Sequence, residues 1–187
     1  HLHVHSQYSL LEGAIRIKEL CKRTAELGQK AVAVTDHNNL HGAIDFYKQA
    51  QAHGIKAIIG CELGFEQSRH LVLLARDMAG YKNLIGLVSE AWLEAPEGSP
   101  PRSSIERLAK RSKGLVVLSG CLAGVVPQAI LMHSPKRGAE TLAKLRDACE
   151  PGSLFVELQD HGFVEQPLVN KILVDQARDL GLPCVAT

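Results

Sequence analysis

Two periods of hydrophobic patterning alternate along the chain. Short apolar runs, Leu2–His5, Ala31–Val34, Ile55–Glu62, His70–Ala75, Leu115–Ser119, Leu154–Leu158 and Pro183–Ala186, have the length and composition of strands. Between them lie segments whose apolar residues recur three and four positions apart. Ile17, Leu20, Cys21 and Leu27 predict a helix over 15–27 that stops at Gly28. Asn39 predicts the cap of a second helix that runs to His53, with Gly54 ending it. Further helices are predicted over 78–94, 104–112, 124–131, 137–148 and 165–180, and the Pro, Gly and Ser residues from Pro96 to Ser104 predict a loop.

Strands separated by helices imply parallel pairing through crossover connections, and runs such as AVAV and GLVVLS suit strands buried on both faces. In that architecture the carboxyl ends of the strands form the rim where sites assemble. His3, His5, Asp36, His37, Glu62, Cys121, Glu157 and His161 all fall at or just past such ends. His70 begins its run instead, so a strand of reversed direction is needed to bring it to the same rim. The step from Phe65 to His70 is short for joining two rim-directed strands, which points to loop residues missing near 66–68. The chain stops at a strand end with less material than a full barrel needs, and the expectation is a fragment of a longer chain.

Composition narrows the function classes. At 187 residues the chain is one domain with room for a sizeable core. A net charge of +1 carries no basic surplus, so this domain alone would grip a phosphate backbone weakly. Aromatic residues make up 4%, too few for a base-stacking platform. Cys21, Cys61, Cys121, Cys149 and Cys184 lack CxxC spacing and read as reduced cytoplasmic thiols. No apolar run reaches the roughly 18 residues of a membrane span.

The chemistry lies in the histidines and acids. In HLHVH, His3 and His5 sit on one face of an extended run, about 7 Å apart, with His1 one step further back. His3, His5 and Glu62 form one candidate set for a metal ion; Glu12, His37, His70 and Cys121 form candidates for others. Mixed nitrogen and oxygen donors favour zinc, manganese or iron over calcium, and a thiolate leans toward zinc. Each residue also has a plain structural use. Glu12 can favour the start of the first helix, Asp36 can orient His37 or cap the next helix, and Cys121 can be a small buried residue. His41, His53 and His133 read as surface histidines, Tyr8 and Trp92 as core.

HLHVHSQYSLLEG, AVTDHNNLHGAIDFYKQAQAHGIKAIIGCEL, HLVLLARDMAGYKNL, GLVVLSGCLAGVVP and FVELQDHG together resemble the PHP (polymerase and histidinol phosphatase) domain. The likeness is to the form found at the N-terminus of bacterial replicative DNA polymerase III α subunits, and it runs over nearly all of 1–187. It implies a distorted (β/α)7 TIM-like barrel with a trinuclear centre of nine ligands. Seven of the ligands fall on His3, His5, Glu12, His37, Glu62, His70 and Cys121; an Asp and a His would follow Thr187. Glu12 stands where the family usually has Asp. The resemblance implies two to three Zn, Mn or Fe ions and metal-dependent 3′→5′ exonuclease chemistry with His37 and Glu62 as catalytic residues. The partners it implies are the primer 3′ end of DNA, the rest of the polymerase chain and other holoenzyme subunits, in the cytoplasm and without a membrane. Its alternatives are a catalytically weak scaffold for the polymerase or a free-standing phosphatase.

Overall fold

A computed structural model describes residues 1–65 and 69–187. The expectation of missing loop residues near 66–68 lies outside the described residues. In chain order the elements are α1 (Ile17–Glu26), β1 (Ala31–Val34), α2 (Ala43–Ala52), β2 (Lys56–Phe65), β3 (Arg69–Ala75), α3 (Met78–Leu93) and α4 (Ile105–Arg111). They continue with β4 (Leu115–Leu118), α5 (Val125–Met132), α6 (Pro135–Ala148), β5 (Leu154–Leu158), α7 (Gln166–Leu180) and β6 (Cys184–Ala186).

The strands form one sheet in sequence order, β1 to β6. β1 and β2 are parallel, as are β4, β5 and β6, while β3 runs antiparallel to both its neighbours. The reversal demanded by His70 is therefore present, and it carries the start of β3 to the rim where the other strands end.

Strict alternation divides the strand residues between two apolar layers. Val32 and Val34 of β1 pack with Ile17 and Cys21 of α1 and Phe46 of α2. Leu63, Leu71, Val117 and Val156 pack outward on α3, α6 and α7 through Leu84, Leu142 and Leu173. The residues between them, Ala33, Ile58, Val72, Leu118, Phe155 and Val185, form one inner cluster drawn from all six strands. An inner layer that joins both edge strands requires a curled sheet, and the result is a half-barrel of the TIM-like type. The same alternation, continued to the rim, turns Glu62, His70 and Glu157 inward.

Three helices start on side-chain caps: Asp77 accepts from Gly80, Ser104 from Arg107, and Ser134 from Arg137. α3 approaches the β4 entrance so closely that a Cβ on Gly80 would lie 1.8 Å from the Gly114 carbonyl oxygen. Gly80→Ala is expected to lower stability by about 2–3 kcal/mol, read as a lower urea midpoint with an unchanged slope. An unchanged midpoint would mean that α3 can retreat freely.

Three predicted elements differ. β2 runs on to Phe65, past its expected end at Glu62, so Glu62 lies within the strand. Leu2–His5 is not a ladder strand, although it runs beside β1. The His1 and Val4 carbonyls accept from Ala33 and Thr35, but the Val4 N–H donates to the Thr35 hydroxyl, which interrupts the backbone ladder. Asn39 does not cap α2, which starts four residues later at Ala43. Its side chain instead closes a turn, donating to the Tyr8 and His37 carbonyls and accepting from the His41 N–H.

Candidate metal centre

Glu62 is the middle of the site. It lies on the inner face of β2, 4% exposed, and its two oxygens meet four imidazoles. His3 Nε2 lies 2.8 Å from Oε2 and His70 Nε2 3.1 Å from the same oxygen. His37 Nδ1 lies 2.7 Å from Oε1, and His5 Nε2 3.6 Å from it. His70 Nε2 is also 3.2 Å from Cys121 Sγ. Glu12 stands looser and half exposed, 3.8 Å from Nδ1 of both His5 and His37.

Three donor sets follow, His3–His5–Glu62, Glu62–His70–Cys121 and Glu12–His37–Glu62, each with its ligand atoms within 4.8 Å of one another. Their union is the full set of seven residues singled out in the sequence. Imidazoles, carboxylates and one thiol form a donor chemistry suited to divalent metal ions. The buried His5 Nε2 has no hydrogen-bond partner among the described residues. A buried ring nitrogen left without a partner beside a carboxylate is what an ion would satisfy.

Local backbone explains how distant residues converge. Cys121 follows Gly120, whose φ of +88° turns the chain off the end of β4 at a position other residues adopt only with strain. A lone bridge between His70 and Gly124 pins the same turn to β3. A second bridge joins His37, just past the end of β1, to Glu62 within β2.

Charges are strongly coupled. Burial works against the Glu62 carboxylate, yet His3, His37 and His5 outweigh it and hold the group far below the usual carboxylate range. Burial likewise disfavours protonated His3, but Glu157 and Glu62 override it and raise the ring to about 9. The hydrogen bond to Glu62 raises His37. Burial lowers His70, helped by the neighbouring His3 and His37. Burial pushes the Cys121 thiol up.

Several residues occupy places that the sequence did not reveal. Asp36 neither orients the His37 ring nor caps a helix. It is buried and accepts 2.7 Å bonds from the Ser6 N–H, the Ser6 hydroxyl and the Ser9 hydroxyl. Ser9 Oγ then accepts from the His37 N–H. Glu157 was visible as a rim residue without an assignment; its carboxylate lies 2.8 Å from His3 Nδ1. The LFVEL alternation, with Phe155 inward, is the signal that could have placed it. His1 and His161 are exposed and outside the three donor sets, as are His41 and His133. His53 is half-buried against the Gln49 carbonyl, and Trp92 is 54% exposed with its indole N–H on the Asn38 carbonyl; neither matches its expected place.

Comparison with known protein families matches residues 1–161 to the PHP domain. The chain belongs to the PHP domain family. It is 42% identical over its whole length to DNA polymerase III subunit alpha of Treponema pallidum, of which it spans 17%. It is 41% identical to the Thermus aquaticus subunit, again over 100% of this chain and 17% of that one. Among solved structures, a Bifidobacterium adolescentis protein described as a metal-dependent phosphoesterase superposes on the PHP domain with a TM-score of 0.63. That likeness covers 98% of this chain and 84% of the other at 14% identity, so it speaks for the fold alone. Among the described residues of the PHP domain, no helix is long and apolar enough to cross a membrane.

Proposed function

We propose that residues 1–187 are one PHP domain of a replicative DNA polymerase III α chain, and that it hydrolyses the terminal phosphodiester of a primer 3′ end. The observation that carries this reading is the convergence of six donor residues around a seventh, the buried carboxylate of Glu62. His3, His5, Glu12, His37, Glu62, His70 and Cys121 would hold two to three divalent ions of zinc, manganese or iron type. Bound there, such ions would polarise a phosphoryl oxygen and supply a hydroxide nucleophile near neutral pH.

The chain's own residues set the rest. Glu62 keeps its negative charge at any physiological pH because the imidazoles around it favour the ionised form. His37, a third exposed on its side chain, stands at the open edge of the cluster and is the ring that meets an incoming phosphate. His3 and His70 lie deeper and shield the inner side from solvent. A recessed rim admits a terminal nucleotide only after it has left the duplex, which favours single-stranded or mismatched 3′ ends. Near-neutral net charge leaves most DNA affinity to the rest of the polymerase chain and to other holoenzyme subunits.

The test is 3′-end degradation by the full-length polymerase carrying His37→Ala. A rate about a hundredfold lower, still metal-dependent and with little change in melting temperature, is expected. Equal rates in variant and parent would leave the scaffold reading in its place.

A further inference from the structure

We propose that Glu157 is a positioning residue of the metal centre, holding His3 so that Nε2 is the ring nitrogen presented to an ion. This rests on the metal-centre reading above and adds a residue that belongs to none of the three donor sets.

Glu157 sits on the inner face of β5 with its side chain fully buried. Its Oε1 lies 2.8 Å from His3 Nδ1 and accepts from the Thr187 hydroxyl at 2.6 Å and the Gln159 amide at 3.0 Å. Its own N–H is tied to the Ser119 hydroxyl at 2.9 Å, so both ends of the residue are fixed. A neutral imidazole carries one N–H. Glu157 and Glu62 stand 2.8 Å from Nδ1 and Nε2 respectively, so an ion taken up on the Glu62 side at Nε2 would leave the one N–H on Nδ1, where Glu157 accepts it. Nε2 is the atom that faces Glu62, where the donor sets meet.

The other oxygen decides between anchoring and tuning. Glu157 Oε2 is buried without a hydrogen-bond partner among the described residues. A carboxylate kept only to knit the barrel together would satisfy both oxygens, since an orphaned buried acceptor is costly. An ion bound on the far side of His3, at Nε2, would compensate its negative charge. A carboxylate behind a ligating histidine fixes the tautomer and raises ligand basicity, and losing it weakens metal binding by about 10–100-fold.

The experiment compares zinc affinity in the parent and in Glu157→Gln, using the natural full-length chain and a competing chelator. The amide keeps the size and an acceptor oxygen but removes the charge. The expected result is zinc binding weaker by about tenfold or more, with the melting temperatures of the two chelator-treated proteins close together. Glu157→Asp, which restores the charge, should recover part of the loss. A crystal structure of the zinc-loaded parent should show His3 bound through Nε2. Equal zinc affinities overturn the inference, as does zinc on Nδ1 of His3, which can be seen in the parent even if the variant fails to fold. Zinc uptake by the parent keeps the metal-centre reading standing in either case; no uptake at all removes that reading and this one together.

Discussion

Glu62→Gln is expected to strip most of the metal from the protein, because one carboxylate is common to all three donor sets. The amide preserves volume, yet it replaces an anion flanked by four imidazoles with a neutral group that turns an N–H toward two of them. Dications crowded at one rim need that anion for neutralisation. Loss of an outer-sphere partner alone costs about 10–100-fold in affinity, so loss of this shared ligand should exceed a hundredfold. Elemental analysis should find less than half of the parent's metal. Chelation should lower the parent's melting temperature by several degrees, since ligand bound at about a hundred times its Kd adds about 2.7 kcal/mol. The variant's melting temperature should not respond to chelator. Full metal content in Glu62→Gln would remove the carboxylate from the centre.

Why Glu62 was readable in advance, and Asp36 was not, is a matter of range. A charged residue set into the apolar run IKAIIGCEL breaks a local pattern, and a local pattern needs no partner to be seen. His70 broke the rim rule in the same visible way, and the antiparallel β3 answers it. The seven donors were likewise placed at one rim by strand ends and by family resemblance. The partners of Asp36 lie about thirty positions earlier in a loop with no period, and nothing in Thr-Asp-His distinguishes a clamp from a cap.

Other differences share that cause. The alternation in HLHVH is real, but whether an extended segment joins a ladder depends on what its neighbour offers. Here the neighbour offers a threonine hydroxyl at one rung. Asn39 has the chemistry of a cap and spends it on carbonyls of the preceding turn, brought near by the fold rather than by sequence. Trp92 is large and apolar enough for a core, yet one strong N–H bond to Asn38 suffices to hold it at the surface.

Asp36→Ala should be the most damaging substitution outside the donor sets. The carboxylate is 2% exposed and accepts three short bonds, each worth about 1.5–3 kcal/mol when the acceptor is charged. Ser6 and Ser9 are equally buried, at 0% and 1%, so no water replaces the lost acceptor. Bonds that share one acceptor do not add in full, and a loss of about 4 kcal/mol in unfolding free energy is expected. Asp36→Asn separates charge from geometry. Its remaining carbonyl oxygen still accepts from the Ser6 N–H and the Ser9 hydroxyl, while the amide faces the Ser6 hydroxyl, which can rotate to accept. That variant should lose only about 1–2 kcal/mol. The loop that Asp36 holds leads directly into Leu11, at φ +69°, and Glu12, the loosest of the seven donors. Freeing it should therefore weaken the ion held by Glu12 and His37 first, leaving the Glu62–His70–Cys121 set least affected. Paired measurement of urea midpoint and stepwise metal affinity in the two variants checks both halves; equal stabilities for Ala and parent would mean that the clamp holds nothing.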